Sequence, residues 1–148
     1  MTGHKTLWLI ANGASGSHED ERIALLTDRL GPARVIDCQQ DSLPDAAALE
    51  AGGASVLVVH GGDGTLNAAI SRAEGWGGAV LPLPGGTANL LCRDLYGEAA
   101  LEEILDSYAG GAVVPHRRNC VRTSMGPALA EVLAGPGEIG RASCRERV

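Results

Sequence analysis

A chain of 148 residues, 45 % hydrophobic and 20 % charged, is long enough for one domain with its own core and has the balance of an ordinary soluble globular protein. Its 12 basic and 18 acidic side chains give a formal net charge of -6, which argues against a general nucleic-acid binder. Cys38, Cys92, Cys120 and Cys144 show no CxxC spacing, and no apolar run approaches the roughly 18 residues of a membrane span, so the composition reads as a cytoplasmic protein with reduced thiols. No secretory leader is visible, since "MTGHKTLWLIANG" has a short apolar core that runs straight into a glycine turn.

Residues 6–11, "TLWLIA", form an unbroken apolar run, as expected of a strand buried on both faces. The turn "NGASGS" follows. Ser17 then stands as the cap of a helix with Glu19, Asp20 and Glu21 in its first turn. Ile23, Leu26 and Leu30 lie on one face of that helix, and Gly31-Pro32 ends it. "ARVIDC" reads as a second strand and "SLPDAAALEA" as a short helix with Pro44 near its first turn. "SVLVVH" is the third strand, followed by the GGDGT turn and a helix through Ala73. "GAVLPLP" is the fourth strand, and "GGTANLLCRDL" turns into another helix. Residues 98–109 give a further helix with Leu101, Ile104, Leu105 and Tyr108 on one face. "AVVP" and the region of Val121 are weaker strand candidates. The alternation of strand and helix predicts an α/β domain with a largely parallel sheet. With Phe absent, its core has to be built of Leu, Val, Ile and Ala.

Three strand-to-helix loops carry the chemistry: residues 12–17, 61–65 and 85–87. In a parallel sheet such loops emerge at the carboxyl edge, where open α/β sheets bind ligands, so the three are expected to meet in one crevice. Glycine allows positive φ and a close approach of backbone to ligand. A following helix supplies unpaired N–H groups and the positive end of its dipole. Thr65 and Thr87 stand near such starts, where a hydroxyl can donate to a phosphate oxygen; the plainer reading makes them caps and the glycines turns. There is no GxxxxGK[ST], which excludes a P-loop. Asn67 falls where a dinucleotide fingerprint wants its third small residue, and no acid follows about 20 residues on, which argues against a Rossmann dehydrogenase.

Asp63 is the anomaly. A carboxylate about 4 Å from a phosphate charge costs roughly 4 kcal/mol at an effective dielectric near 20. Either it turns away and hydrogen-bonds a neighbouring loop, or a divalent cation stands between it and the phosphates, or it faces an acceptor hydroxyl. His60, closing a buried strand, reads as structural, and His4, His18 and His116 show no ligand spacing. Trp8 and Trp76 read as packing residues.

"GGDGTLNAA" followed by "LPLPGGTANLL" resembles the diacylglycerol kinase catalytic domain family, which includes bacterial lipid kinases and sphingosine kinases and shares its GGDG loop with NAD kinases and phosphofructokinases. The resemblance implies a three-layer α/β domain of the NAD kinase/diacylglycerol kinase-like N-terminal lobe type that binds ATP. Gly61, Gly62, Asp63, Gly64, Thr65 and Asn67 are similar to its nucleotide loop, and Gly85, Gly86, Thr87 and Asn89 to its second loop. Asn12 is kept from the family's first loop, with Gly13 in place of its usual proline. Leu90 stands where many members have Asp, and Asp37 or Cys38 where many have Thr. The implied reaction is phosphoryl transfer from ATP, with magnesium, to a hydroxyl of a diacylglycerol-like or sphingoid lipid during transient contact with a membrane surface. Asp63 is the implied catalytic residue. The implied alternatives are an NAD kinase-like enzyme, which "PGGTAN" disfavours, and a non-catalytic nucleotide-binding module.

In the family a second, β-rich lobe supplies the lipid pocket, the magnesium network and the proposed base, and no such stretch follows here. The chain is therefore expected to be the ATP-binding lobe alone, residues 1–137, inactive by itself. Arg117, Arg118 and Arg122 face either phosphates or an anionic membrane, or form a solvated basic edge. Residues 138–148, "EIGRASCRERV", read as the in-frame translation of a sequencing adapter and, having no apolar period, are expected not to pack.

Overall fold

The structure is a computed structural model that describes residues 5–12, 17–123, 126–128 and 142–147. Four parallel strands form the main sheet: β1 (Leu7–Ala11), β2 (Arg34–Asp37), β3 (Val56–Gly61) and β4 (Ala79–Pro84), in the order β2-β1-β3-β4. β1 and β3 lie at its centre and are buried along their whole length, which is why both read as unbroken apolar runs.

Alternation along these strands divides the core into two layers. Trp8, Ile10, Leu57 and Val59 face α2 (Ala46–Ala51), α3 (Asp63–Arg72) and α4 (Leu90–Tyr96), meeting Leu49, Leu66, Ile70 and Leu91. Leu7, Leu9, Val56 and Val58 face α1 (Ser17–Leu30) and α5 (Leu101–Ala109), meeting Leu26, Ile104 and Leu105. The result is the three-layer α/β arrangement the sequence implied. Leu26 is the fully buried anchor of α1, a position where truncation to Ala costs roughly 2–5 kcal/mol.

Local chemistry sets the element ends. Gly31, with φ of 56°, takes the left-handed turn that stops α1. Asp45 caps α2 by accepting from the Ala48 N–H at 2.8 Å, so Pro44 lies ahead of the cap and not in the first turn. Glu103 reaches back to accept from the Ala100 N–H at 2.8 Å at the start of α5.

Residues 112–115 do not form the expected strand: they run as an irregular connection from α5. They lead into a second, antiparallel sheet of β5 (Arg117–Thr123), β6 (Gly126–Ala128) and β7 (Ala142–Arg147), in the order β6-β5-β7. β7 corrects the expectation that residues 138–148 do not pack, because Ala142–Arg147 pairs along β5. The physical reason is that an antiparallel ladder is made by main-chain groups and needs no apolar period. Among the described residues no helix is long and apolar enough to cross a membrane.

Candidate functional site

Strand direction brings the glycine loops together. Gly61 ends β3 opposite Pro84, which ends β4, so both glycine pairs leave the carboxyl edge side by side. Asn12 follows β1 at the same edge and accepts from the Gln39 side-chain amide at 2.9 Å. β1 and β3 are neighbours whose connections leave toward opposite edges of the sheet, which is the switch point where open α/β sheets open a crevice. Gln39 was not foreseen, because nothing local in "DCQQD" marks it.

The loop glycines owe little to positive φ, since Gly61, Gly62, Gly64, Gly85 and Gly86 are all absent from the positive-φ glycines. Proximity explains most of them. A Cβ on Gly86 would stand 2.4 Å from the Gly62 Cα, and one on Gly85 would stand 2.8 Å from the Gly61 nitrogen. A Cβ on Gly61 would crowd Thr65 at 3.0 Å. Backbone lies on backbone, and a methyl group at position 86 has nowhere to go. Gly64 differs. It lies in the first turn of α3, and among the described residues nothing beyond its own helix and chain neighbours comes within 4 Å of where its Cβ would be. Helix interiors disfavour glycine by about 0.5–1 kcal/mol relative to Ala. Neither packing nor conformation asks for a glycine there.

Asp63 takes the first of its three alternatives. It is the first residue of α3, and its carboxylate crosses to α4, accepting from the Leu90 N–H at 3.0 Å and the Leu91 N–H at 3.3 Å. It acts as a cap supplied from another loop. Asn89 stands in the capping position of α4 but in left-handed conformation (φ 51°, ψ 47°), and makes no cap bond of its own. Its side chain turns back to Gly86, accepting from the N–H at 2.8 Å and donating to the carbonyl at 2.9 Å. Asn tolerates this region of φ/ψ better than most residues. The second loop is thus closed by Asn89, and the helix behind it is held by Asp63.

Thr65 lies in the first turn of α3 with its side chain over Gly61. Thr87 does not stand at a helix start: it is exposed in the bend between Gly86 and Asn89, three residues before α4. Asn67 is half-buried one turn into α3. Gly62 caps α3 and, having no side chain, makes no cap hydrogen bond of its own to the first-turn N–H groups. Residues 13–16 of the first loop lie outside the described residues.

His60 is 1 % exposed beneath the second loop, and among the described residues neither ring nitrogen has a hydrogen-bond partner. Burial pulls its pKa below the usual histidine value; Glu19 opposes that shift, Arg22 adds to it, and the Pro84 carbonyl opposes it. Of the arginines, Arg118 pairs with Asp94 of α4 and Arg122 with Glu74 just past α3, so two of the three bind the small sheet to the main domain, while Arg117 is exposed. Among the described residues no three His, Cys, Asp or Glu side chains converge as a metal site.

The diacylglycerol kinase catalytic domain model matches residues 6–117. No curated protein sequence matches. Three similar solved structures come from Bacillus anthracis str. Sterne. One, named "a putative diacylglycerol kinase", has a TM-score of 0.59 at 19 % identity, covering 83 % of this chain and 44 % of that one. A second with the same description has a TM-score of 0.61 at 19 % identity, covering 86 % and 49 %. A third, described as one of the diacylglycerol kinases, has a TM-score of 0.61 at 17 % identity, covering 83 % and 44 %. At these identities they share the fold, and the chain spans slightly less than half their length. The family match takes in β1 through the start of β5 and with it both glycine loops, so the chain belongs to the diacylglycerol kinase catalytic domain family.

Proposed function

We propose that this chain is the ATP-binding lobe of a lipid kinase, with the triphosphate laid over the paired glycine loops. The observation that carries the reading is Gly64, whose missing Cβ leaves space beside the first turn of α3, a helix whose cap residue Gly62 has no side chain to fill it. That space suits an anion approaching N–H groups at the positive end of a helix. Asp63 does not oppose the phosphates, because its charge is directed at the amides of α4. In this reading the hydroxyl of Thr87, a residue exposed in the second loop, donates to a phosphate oxygen, and Asn12, at the same sheet edge, borders the crevice.

In the whole protein the γ-phosphoryl group would pass to a hydroxyl of a diacylglycerol-like or sphingoid lipid at a membrane surface. Phosphoryl transfer relies on positioning and on charge stabilisation. This chain contributes the positioning: α3 orients the phosphates, Asn89 fixes the second loop, and Asp63 holds the two loops in register. In this reading Asp63 acts on catalysis through α4. The described residues do not assemble ligands for magnesium, and no metal step is assigned to them. The 148-residue chain is accordingly expected to bind ATP weakly and to phosphorylate lipid poorly or not at all. In the same reading residues 1–137 are the kinase domain and residues 138–148 a non-native tail. An NAD kinase-like enzyme or a simple nucleotide-binding module would use the same cradle.

The test is Gly64→Ala. Relieving a helix glycine should raise stability by roughly 0.5–1 kcal/mol, while the added methyl group stands where phosphate should come. Calorimetric titration of ATP should show affinity reduced at least several-fold in a protein that melts no lower than wild type. Unchanged ATP affinity in that variant would remove the phosphates from α3.

A further inference from the structure

A sizeable cavity lies away from the glycine loops. It has a volume of about 480 Å3 and follows the free edge of β4, from the amino ends of β3 and β4 to the end of α4 and residues 112–116. β4 spans six residues, and at about 3.3 Å per residue the mouth near Ala79 is on the order of 20 Å from the loops at the other end of the strand. The volume is within the range of about 300–1,000 Å3 typical of small-molecule sites.

Its lining decides the occupant. One wall is apolar, with Leu81 of β4, Tyr96 of α4, and Val113 and Val114 of the connection from α5. Val114 is 66 % exposed, the most exposed of the large hydrophobic side chains among the described residues. Lys5 and His116 also line the cavity and, among the described residues, no acidic side chain does, although acids outnumber bases 18 to 12 in the chain. The Lys5 ammonium is 5.9 Å from the centre of the Tyr108 ring, which sets it against the cavity wall. An added β-strand is a poor occupant, because Pro82 has no N–H and its carbonyl already accepts from the Tyr96 hydroxyl at 3.0 Å. An apolar channel with the Lys5 ammonium in its wall, and no acid among its described lining residues, suits a single acyl chain ending in an anion.

We propose that this cavity binds a fatty acid, its chain along β4 and its carboxylate toward Lys5 and His116. The site uses no residue of the glycine loops and does not depend on the kinase reading. Laurate, below its micelle concentration, should titrate the 148-residue chain saturably by calorimetry with one site per chain. Dodecyltrimethylammonium, of equal chain length and opposite charge, should bind at least tenfold more weakly. Lys5→Glu should invert that preference, and Val114→Glu should weaken laurate at least tenfold; both side chains are exposed, so circular dichroism should stay that of wild type. ATP affinity should be unchanged in both variants. Absence of saturable laurate binding, equal binding of the two amphiphiles, or indifference to both substitutions would overturn the proposal.

Discussion

Asp63→Ala tests whether the anomalous carboxylate is a cap for α4. The substitution deletes the acceptor of two amide bonds, from Leu90 at 3.0 Å and Leu91 at 3.3 Å. Loss of a helix cap costs about 0.5–2 kcal/mol, and a bond to a charged group is worth about 1.5–3 kcal/mol. Because Leu90 is exposed, solvent offsets part of this, and a loss of roughly 2 kcal/mol is expected. For a chain of this size that corresponds to a fall in Tm of roughly 4–8 °C. Asp63→Asn keeps one carbonyl acceptor and loses the charge at the helix end, so about half the effect should remain. α4 has seven residues, too few to be stable without its cap and its buried side chains Leu91 and Cys92. Cys92 reports on it directly. Its thiol is pushed up to about 12 by burial first and by Asp63 second, so it should resist iodoacetamide at pH 8 in the wild-type protein. Urea unfolding and mass-spectrometric mapping of Cys92 alkylation, both without nucleotide, complete the assay. The variant should alkylate at Cys92 while the rest of the domain stays folded. Unchanged stability and an unreactive Cys92 in Asp63→Ala would refute the cap and return the carboxylate to a purely catalytic role.

His60 should make the domain sensitive to mild acid. Its folded pKa lies below its unfolded value of about 6.5, so the unfolded chain takes up the proton first; stability is full above that pH and falls as pH drops through it. His60→Leu should flatten the slope of urea stability between pH 7 and 5, and an unchanged slope would assign the acid sensitivity elsewhere. Deletion of residues 138–148 removes a strand that pairs with β5 and leaves the parallel sheet intact, so the main transition should move by no more than about 2 °C. A collapse of that transition would make the tail part of the fold.

The strands and helices of the main domain were legible because burial on both faces leaves unbroken apolar runs, as in "LWLIA" and "VLVVHG". The meeting of the two glycine loops was legible too, since parallel strands send such loops to one edge. Partnerships across the chain were not. Asp63 meets amides 27 and 28 residues away, and no local pattern predicts that distance. Nothing local in "GGTANLL" showed that Asn89, through its left-handed backbone, turns its side chain back to Gly86. "AVVP" has strand composition but no ladder partner among the described residues, and "ASCRER" has the reverse. Composition records burial well and main-chain pairing poorly.

The contact of Gly86 with Gly62 also constrains how such a sequence can drift. A side chain gained at position 86 collides with the other loop's main chain at 2.4 Å, and no rotamer relieves a clash between a Cβ and a backbone. Widening the gap would pull Asp63 off Leu90 and Leu91, so a first substitution would harm α4 before any second could accommodate it. The two loops can therefore change only in step, and a sequence that loses one glycine pair should be found to have rebuilt the other.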